Sequence, residues 1–369
     1  MQNYKKPFNR PNSNKKSVSN PFFGNFAALN WIWMKKLLII RFSALGDIAM
    51  TVPVVHDLAV QYPDLEITML SREMARPLFE RMPKNVHFIA ADLNGRHKGL
   101  LGLCRLWRDA HLNDFDYIAD FHDVLRTWWL RTEGCLRRKK IDKIDKGRNG
   151  KHALTRQNNK VFVQQTTSFE RYAKVLEQLG FPIKPQFVKL DYSGFCETQK
   201  TSSETWVGIA PFAKHEAKVY PMDKMEQVIK ALSERENTTL FLFGGGAEES
   251  QQIETLCAKY NHVQPAKSQE GLKGELALMG QLDVMLSMDS ANMHLASLVG
   301  TRVVSIWGGT HPYAGFLGWN QQAEDCVQLD MPCRPCSVYG NKPCFRGDYA
   351  CMNNITPELI IEKLSPYLK

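Results

Sequence analysis

From Lys35 onward the chain repeats one pattern: a short apolar, β-prone run followed by a longer stretch whose apolar residues recur at helical spacing. The runs LLIIRF, EITMLS, VHFIAA and YIADF alternate with VVHDLAVQYP and GLCRLWRDAHL. A helix reading SFERYAKVLEQLG then stops at Gly180, with Pro182 just beyond, a stop signal of the expected kind. The pattern resumes with WVGIAP, TTLFLFGGG, HVQPA, DVMLSMD and RVVSIWGG, separated by helical stretches such as DKMEQVIKALSER and SANMHLASLVG. Continuous apolar runs of this length suit strands covered on both faces, and their alternation with helices predicts parallel sheets. The segment from Phe181 to Thr205, with Pro182, Pro185 and Gly194, reads as a linker. An α/β chain of two successive sheets is therefore expected, with ligands in the cleft at the carboxyl ends of the strands.

The boundaries that follow are 34–185 for the first domain, 186–204 for the linker, 205–355 for the second domain and 356–369 for a C-terminal helix. Residues 1–33, rich in Asn, Ser, Pro and Lys, read as a disordered extension, and Met34 as the natural beginning of the first domain. The aromatic cluster Phe22, Phe23, Phe26, Trp31 and Trp33 in that extension suits contact with a membrane surface or, as the preferred reading, a weakly packed extension. A chain of 369 residues is long enough for each domain to bury its own core. No apolar run approaches the roughly 20 residues of a spanning helix, and the apolar stretch after Lys36 is broken at Arg41, so no secretory signal is read there. Net charge is +9, concentrated before Lys36 and between Arg137 and Lys160, which favours anionic partners. Of nine cysteines, Cys104, Cys135, Cys196 and Cys257 are scattered, as in a reduced cytoplasmic protein.

Four strand ends carry candidate chemistry. After LLIIRF, the loop SALGD, with Ser43, Gly46 and Asp47, leads into a helix. A carboxylate there is either a helix cap or a base that takes a proton from an attacking hydroxyl. After WVGIA, the stretch PFAKHEAKVYP holds Lys214, His215 and Lys218, where a lysine can neutralise a departing phosphate or simply face solvent. After LFLF come Gly244, Gly245 and Gly246, which let backbone approach a ligand closely or form a tight turn. Residues 247–249 are Ala, Glu and Glu, so the dinucleotide and P-loop fingerprints are not met. The fourth is SMDSANMHLASLVGTRVVSIWGGTHP, in which Asp289 and Ser290 cap a helix, His294 lies about one turn in, and Gly308, Gly309 and Thr310 end the next strand.

With these segments in view, the chain resembles glycosyltransferase family 9, the lipopolysaccharide heptosyltransferases and their relatives. DSANMHLASLVG with WGGTHP is similar to the family's D-[ST]-G-x-x-H-x-A-A-x-x-G and following G-x-T-x-P turn. RFSALGD resembles its N-terminal S-x-x-G-D segment, and KVYP its K-x-W-P. The resemblance implies a GT-B fold, two Rossmann-like domains with parallel sheets facing a central cleft, the first on the acceptor side and the second holding the donor. It implies Asp47 as general base, with Ser43, Gly46 and Arg126 on the acceptor or loop side. Lys218, Gly245, Gly246, Asp289, Ser290, His294 and Thr310 would bind the donor. The implied reaction is inverting transfer of a sugar, ADP-heptose being the first donor, onto a lipopolysaccharide core or related anionic glycolipid. A nucleoside diphosphate leaves, and neither metal nor cofactor is expected. Ala291 stands where the family usually has glycine and Tyr220 where it has tryptophan, departures expected to bear on the donor. Competing readings are a nucleotide-sugar epimerase of similar fold and an inactive saccharide-binding relative.

The basic stretch RRKKIDKIDKGRNGKHALTRQNNK falls in the acceptor-side domain. It suits either a solvated loop or contact with anionic lipid at the inner leaflet, and peripheral membrane contact of a cytoplasmic enzyme would follow from the latter. It has no interleaved aromatics, so nucleic acid is not an expected partner. In CRPCSVYGNKPCFRGDYAC the spacing of Cys333, Cys336, Cys344 and Cys351 suits a structural zinc or a set of free thiols.

Overall fold

The structure is a computed structural model that describes residues 34–369; the expected disorder of residues 1–33 and their aromatic cluster lie outside the described residues. The first half runs β1 (Lys36–Ile40), α1 (Leu45–Ala49), α2 (Val52–Gln61), β2 (Glu66–Ser71), β3 (Val86–Ala90), α3 (Gly99–Asp109), β4 (Tyr117–Asp120), α4 (Leu125–Leu136), β5 (Lys140–Lys143), α5 (Arg148–Thr155) and α6 (Ser168–Gln178). The second runs β6 (Thr205–Ala210), α7 (Met222–Ser233), β7 (Thr238–Leu242), α8 (Ala247–Lys259), β8 (Val263–Pro265), α9 (Leu272–Met279), β9 (Val284–Met288), α10 (Ala291–Leu298), β10 (Val303–Ile306), β11 (Cys326–Val327), α11 (Ala350–Asn353) and α12 (Pro357–Leu364). Lys35–Lys369 form one compact unit.

Both sheets are parallel throughout. The first has the order β3-β2-β1-β4-β5 and the second β11-β10-β9-β6-β7-β8. In each, the first strand in sequence lies inside, so chain direction reverses beside it: between β1 and β4 in one sheet and between β6 and β9 in the other. Such switch points open a crevice at the carboxyl ends of their strands. The apolar runs are buried on both faces as expected, Leu37 to Ile40 and Val284 to Met288 with no exposed surface, the polar Ser287 included.

One apolar cluster crosses from sheet to sheet. It joins Leu37 and Ile39 through Ile48 and Met50 to Met293, Leu295 and Trp307. A second lies under the far face of the second sheet and includes Ile360 and Leu364 of α12, so the closing helix packs against that body. Tyr220 belongs to this second cluster; it is fully buried and its hydroxyl donates to the Ile355 carbonyl at 3.1 Å. The expected bearing of Tyr220 on the donor is therefore corrected: its ring fills a core and does not line the cleft.

The basic stretch after Arg137 is not a loop. It contains edge strand β5 and helix α5, and within it Lys151 is buried. The segment after α5 then reaches across to the second half. Lys160 Nζ donates to the Cys333 and Pro335 carbonyls, both at 2.9 Å, while the Gln165 and Ser168 amides donate to Tyr313 and Gly315 carbonyls at 2.8 and 3.0 Å. All nine cysteines are free, and no group of three or more His, Cys, Asp or Glu among the described residues is arranged to hold a metal ion.

The two halves approach most closely where α1 meets α10. Gly46 makes this possible, since a Cβ built there would stand 2.8 Å from His294 Cδ2 and 3.3 Å from Ala291 Cα. Gly46→Val is expected to force these helices apart and destabilise the protein by about 2 kcal/mol, read as a lower urea midpoint without change in the slope of the transition.

Candidate functional site

The loop after β1 and the start of α10 build the centre of the cleft. Asp47, at the third position of α1, accepts the Ala44 amide at 3.1 Å, one half of a capping box; Ala44 has no side-chain acceptor to complete the other half. The same oxygen, Oδ2, lies 2.8 Å from the Arg41 guanidinium. Burial pushes the Asp47 carboxyl up, but Arg41, the Ala44 amide and His294 together outweigh it and hold the group below the usual carboxylate range. The cap reading and the cleft reading of Asp47 are thus compatible, because one oxygen caps while the side chain remains 28% exposed to the cleft.

Opposite Asp47 stands a second cluster. Asp289, at the end of β9, is buried, and its Oδ2 receives the Lys218 ammonium at 2.8 Å and the Thr310 hydroxyl at 2.8 Å. Lys218 reaches it from the loop after β6, its stem passing over Gly340, where a Cβ would meet Lys218 Cγ at 2.7 Å. Ser290 is the N-cap of α10, and Ser290, Ala291 and Asn292 line the cleft. Their unclaimed amides and the dipole of α10 present a partial positive charge there. His294 is buried, its Nδ1 has no hydrogen-bond partner among the described residues, and burial with Lys218 nearby lowers its pKa to about 4 against the pull of Asp289 and Asp47. It is therefore neutral at pH 7.

These groups line a cavity of about 660 Å³. Its walls include Gly46, Asp47, Phe212, Lys214, His215, Lys218, Gly244, Gly245, Asp289, Ser290 and His294. Gly245 is held by Glu249, whose carboxylate accepts its amide at 2.7 Å. Glu275 also lines this cavity, and burial pushes its carboxyl up to about 7.

A smaller cavity of about 300 Å³ shares Ala44, Asp47, Phe316 and Tyr339 with the larger one. Among the described residues that line it are four cationic side chains, Arg41, Lys146, Lys151 and Arg171, and one carboxylate, Asp47. Lys151 Nζ sits 4.2 Å above the Phe316 ring, and its burial, with Arg171 nearby, lowers its pKa to about 8. His122, after β4, accepts the Phe42 amide on Nδ1 at 3.4 Å and points Nε2 at Ser43 Oγ, 3.3 Å away. Burial, then Arg41 and Lys146, drive its pKa down to about 3. A neutral ring accepting on Nδ1 carries its proton on Nε2, so His122 donates to Ser43.

Most of the residues singled out in the sequence thus meet. Asp47, Gly46, Lys218, Gly245, Asp289, Ser290 and His294 line the larger cavity, and Ser43 and Asp47 the smaller. Three fall elsewhere. Thr310 is buried behind Asp289, which its hydroxyl orients. Gly246 turns the chain into α8 at a φ of +88° outside both cavity walls, and Arg126 is exposed on the first turn of α4. The cationic group Arg41, Lys146, Lys151 and Arg171 was missed as a site. Its only sequence signal was the excess of charge after Arg137.

An arrangement of this kind has an ionised carboxylate between an anion-attracting cavity and a cavity flanked by a cation, a buried acid and a helix N-terminus. It can take a proton from a hydroxyl on one side while charge leaves on the other. The chain is similar to several known proteins. Lipopolysaccharide heptosyltransferase 3 of Escherichia coli K12 is 24% identical over 303 residues, 77% of this chain and 84% of the relative. A family 9 glycosyl transferase from Veillonella parvula superposes with a TM-score of 0.69 at 17% identity, over 90% of this chain and 97% of the other. The E. coli heptosyltransferase WaaC with ADP gives 0.59 at 16% identity, over 90% and 99%. These structures share the GT-B fold, and the profile of glycosyltransferase family 9 (heptosyltransferase) matches residues 103–343, well over half of the sequence. The chain is a member of glycosyltransferase family 9.

Proposed function

We propose that this protein transfers a heptose from ADP-heptose to a lipopolysaccharide core or related anionic glycolipid by a single inverting displacement. The observation that carries the reading is the position of Asp47, in the wall common to the two cavities. The larger cavity receives the nucleotide sugar and the smaller an anionic part of the acceptor. Family membership, the heptosyltransferase named among its relatives and the ADP held by a structural relative support this choice of donor.

Asp47 removes the acceptor proton as the hydroxyl attacks the anomeric carbon, and the bond to the diphosphate breaks on the opposite face. Lys218 and the α10 amides receive the negative charge that develops on the leaving diphosphate. Asp289, held by Thr310 and Lys218, offers acceptor oxygens to sugar hydroxyls. Neutral His294 packs beneath this contact without adding a charge. Lys146, Lys151 and Arg171 hold acidic groups of the acceptor against the base.

The direct test is incubation of the full chain with a panel of nucleotide sugars and a truncated glycolipid, following diphosphonucleotide release and product mass. Isomerised donor without acceptor consumption would overturn the reading. Asp47→Asn is expected to lower kcat at least about 10²-fold while donor affinity, by calorimetry, stays within about twofold. Arg41→Gln gives a sign as well as a size. The base works only when ionised, so wild-type activity is lost as pH falls through the depressed Asp47 pKa. Without Arg41 that acid limb of kcat/KM moves toward neutrality. Lys151→Met is expected to raise the acceptor KM about tenfold with donor affinity unchanged, checked by initial rates at saturating donor.

A further inference from the structure

The first turns of α3 and α4 expose side chains that a water-facing helix usually buries. Leu100 and Leu101 are 68% and 76% exposed, and Leu125 and Trp128 are 87% and 59% exposed. All four lie at one edge of one layer. Leu103, Leu106 and Trp107 of α3 and Leu130 of α4 share an apolar cluster with Leu38 and Ile40, so both helices cover the same face of the first sheet. A Cβ on Gly134, near the end of α4, would meet the ring of Trp107, near the end of α3, at 3.7 Å. Both helices follow parallel strands of one sheet. They therefore run the same way, and their first turns share the edge next to the carboxyl ends of the strands.

The acids that lead into these helices are already engaged: Asp123, just before α4, pairs with Arg131, Lys143 and Arg148, and exposed Asp92, in the loop before α3, accepts the Gly95 and Arg96 amides. Lys98 and Arg126 are exposed at this edge and Arg105 is exposed one turn further along α3, and none of them forms an ion pair among the described residues. The acids of these helices, Asp109 and Glu133, lie at the far ends and are occupied by Arg96 and Arg108 and by Arg137. Neither helix has an acidic residue in its first turn, and Lys98 is the N-cap of α3. Cations at a helix N-terminus oppose its dipole, so an anionic surface would relieve an arrangement that is unfavourable in water. Leucine and tryptophan beside uncompensated cations is the composition that settles at the headgroup level of an anionic bilayer. A second copy of the chain fits less well, because a two-fold contact would set these cations against themselves.

We infer that the first turns of α3 and α4 are a docking edge for an anionic lipid surface. Leu100, Leu101, Leu125 and Trp128 enter the headgroup region while Lys98, Arg105 and Arg126 meet lipid phosphates. The inference rests on the reading of the acceptor as lipid-linked, and the geometry suits it. His122, which lines the smaller cavity, is three residues before Leu125, so a bilayer at this edge presents its lipid-linked saccharides beside that cavity.

The test is co-sedimentation of the full chain with vesicles of phosphatidylcholine alone or mixed with phosphatidylglycerol, with neither donor nor acceptor present. Binding is expected to the mixed vesicles, at least about tenfold above the neutral ones. Leu101→Ser with Trp128→Ser, and separately Lys98→Glu with Arg105→Glu, should each lower it at least about tenfold. Both variants should keep the wild-type circular dichroism and wild-type turnover of a water-soluble, delipidated acceptor. Vesicle binding equal to wild type in both variants would overturn the inference. So would an unchanged vesicle partition accompanied by loss of self-association, which would assign the edge to a second copy. Partition is read without substrates, so failure of every nucleotide sugar to react bears on the proposed transfer and leaves this result standing.

Discussion

The close approach of α1 to α10 is the constraint on which the site depends. At 2.8 Å from His294 Cδ2, even the first carbon of a side chain at position 46 would find no room. That contact brings a carboxylate from the first sheet opposite a lysine, an aspartate and a helix N-terminus from the second. The apolar cluster beneath it is continuous across both sheets, so the same packing that stabilises the body fixes the distance over which the two cavities communicate.

Electrostatics then divides the cleft. Half-burying a carboxylate is costly unless cations and hydrogen-bond donors meet it, and Asp47 has both in Arg41 and the Ala44 amide. The two histidines nearest to it are kept neutral by burial and by cations. The cleft accordingly sets the carboxylates of Asp47 and Asp289 against the cations of Arg41 and Lys218, with uncharged rings between them, while the Glu275 carboxyl, raised to about 7 by burial, is a wall group that changes charge near neutral pH. Lys151, in the smaller cavity, is lowered to about 8 by burial and by Arg171 and loses its charge under mildly alkaline conditions.

Much of this was legible because the fold concentrates chemistry at switch points. Asp47 follows β1, Lys218 follows β6 and Asp289 follows β9, the strands at which the sheets reverse, and each is preceded by an apolar run that marks its strand. The segments that escaped notice lack that signal. β5 is an edge strand of sequence KIDK with exposed ends, so no apolar run announces it, and its lysines look like part of a solvated tract. Lys151 sits on a short helix whose burial depends on Phe316, 165 positions later in the chain. Tyr339 comes from the cysteine-rich segment, whose spacing draws attention to its thiols rather than to the tyrosine among them. Thr310 was found by its turn, but only packing reveals that its hydroxyl faces Asp289 and not the open cleft.

The segment that follows α5 ties the halves together through Lys160, Gln165 and Ser168, and both sides of this fastening contribute to the smaller cavity. Lys151, Ser168 and Arg171 come from one end of it, Phe316 and Tyr339 from the other. A hinge movement of one sheet against the other would therefore do two things at once: change the gap between Asp47 and Asp289, and reshape the cationic chamber. Such a movement would couple the grip on the proposed acceptor to the alignment of the reacting groups.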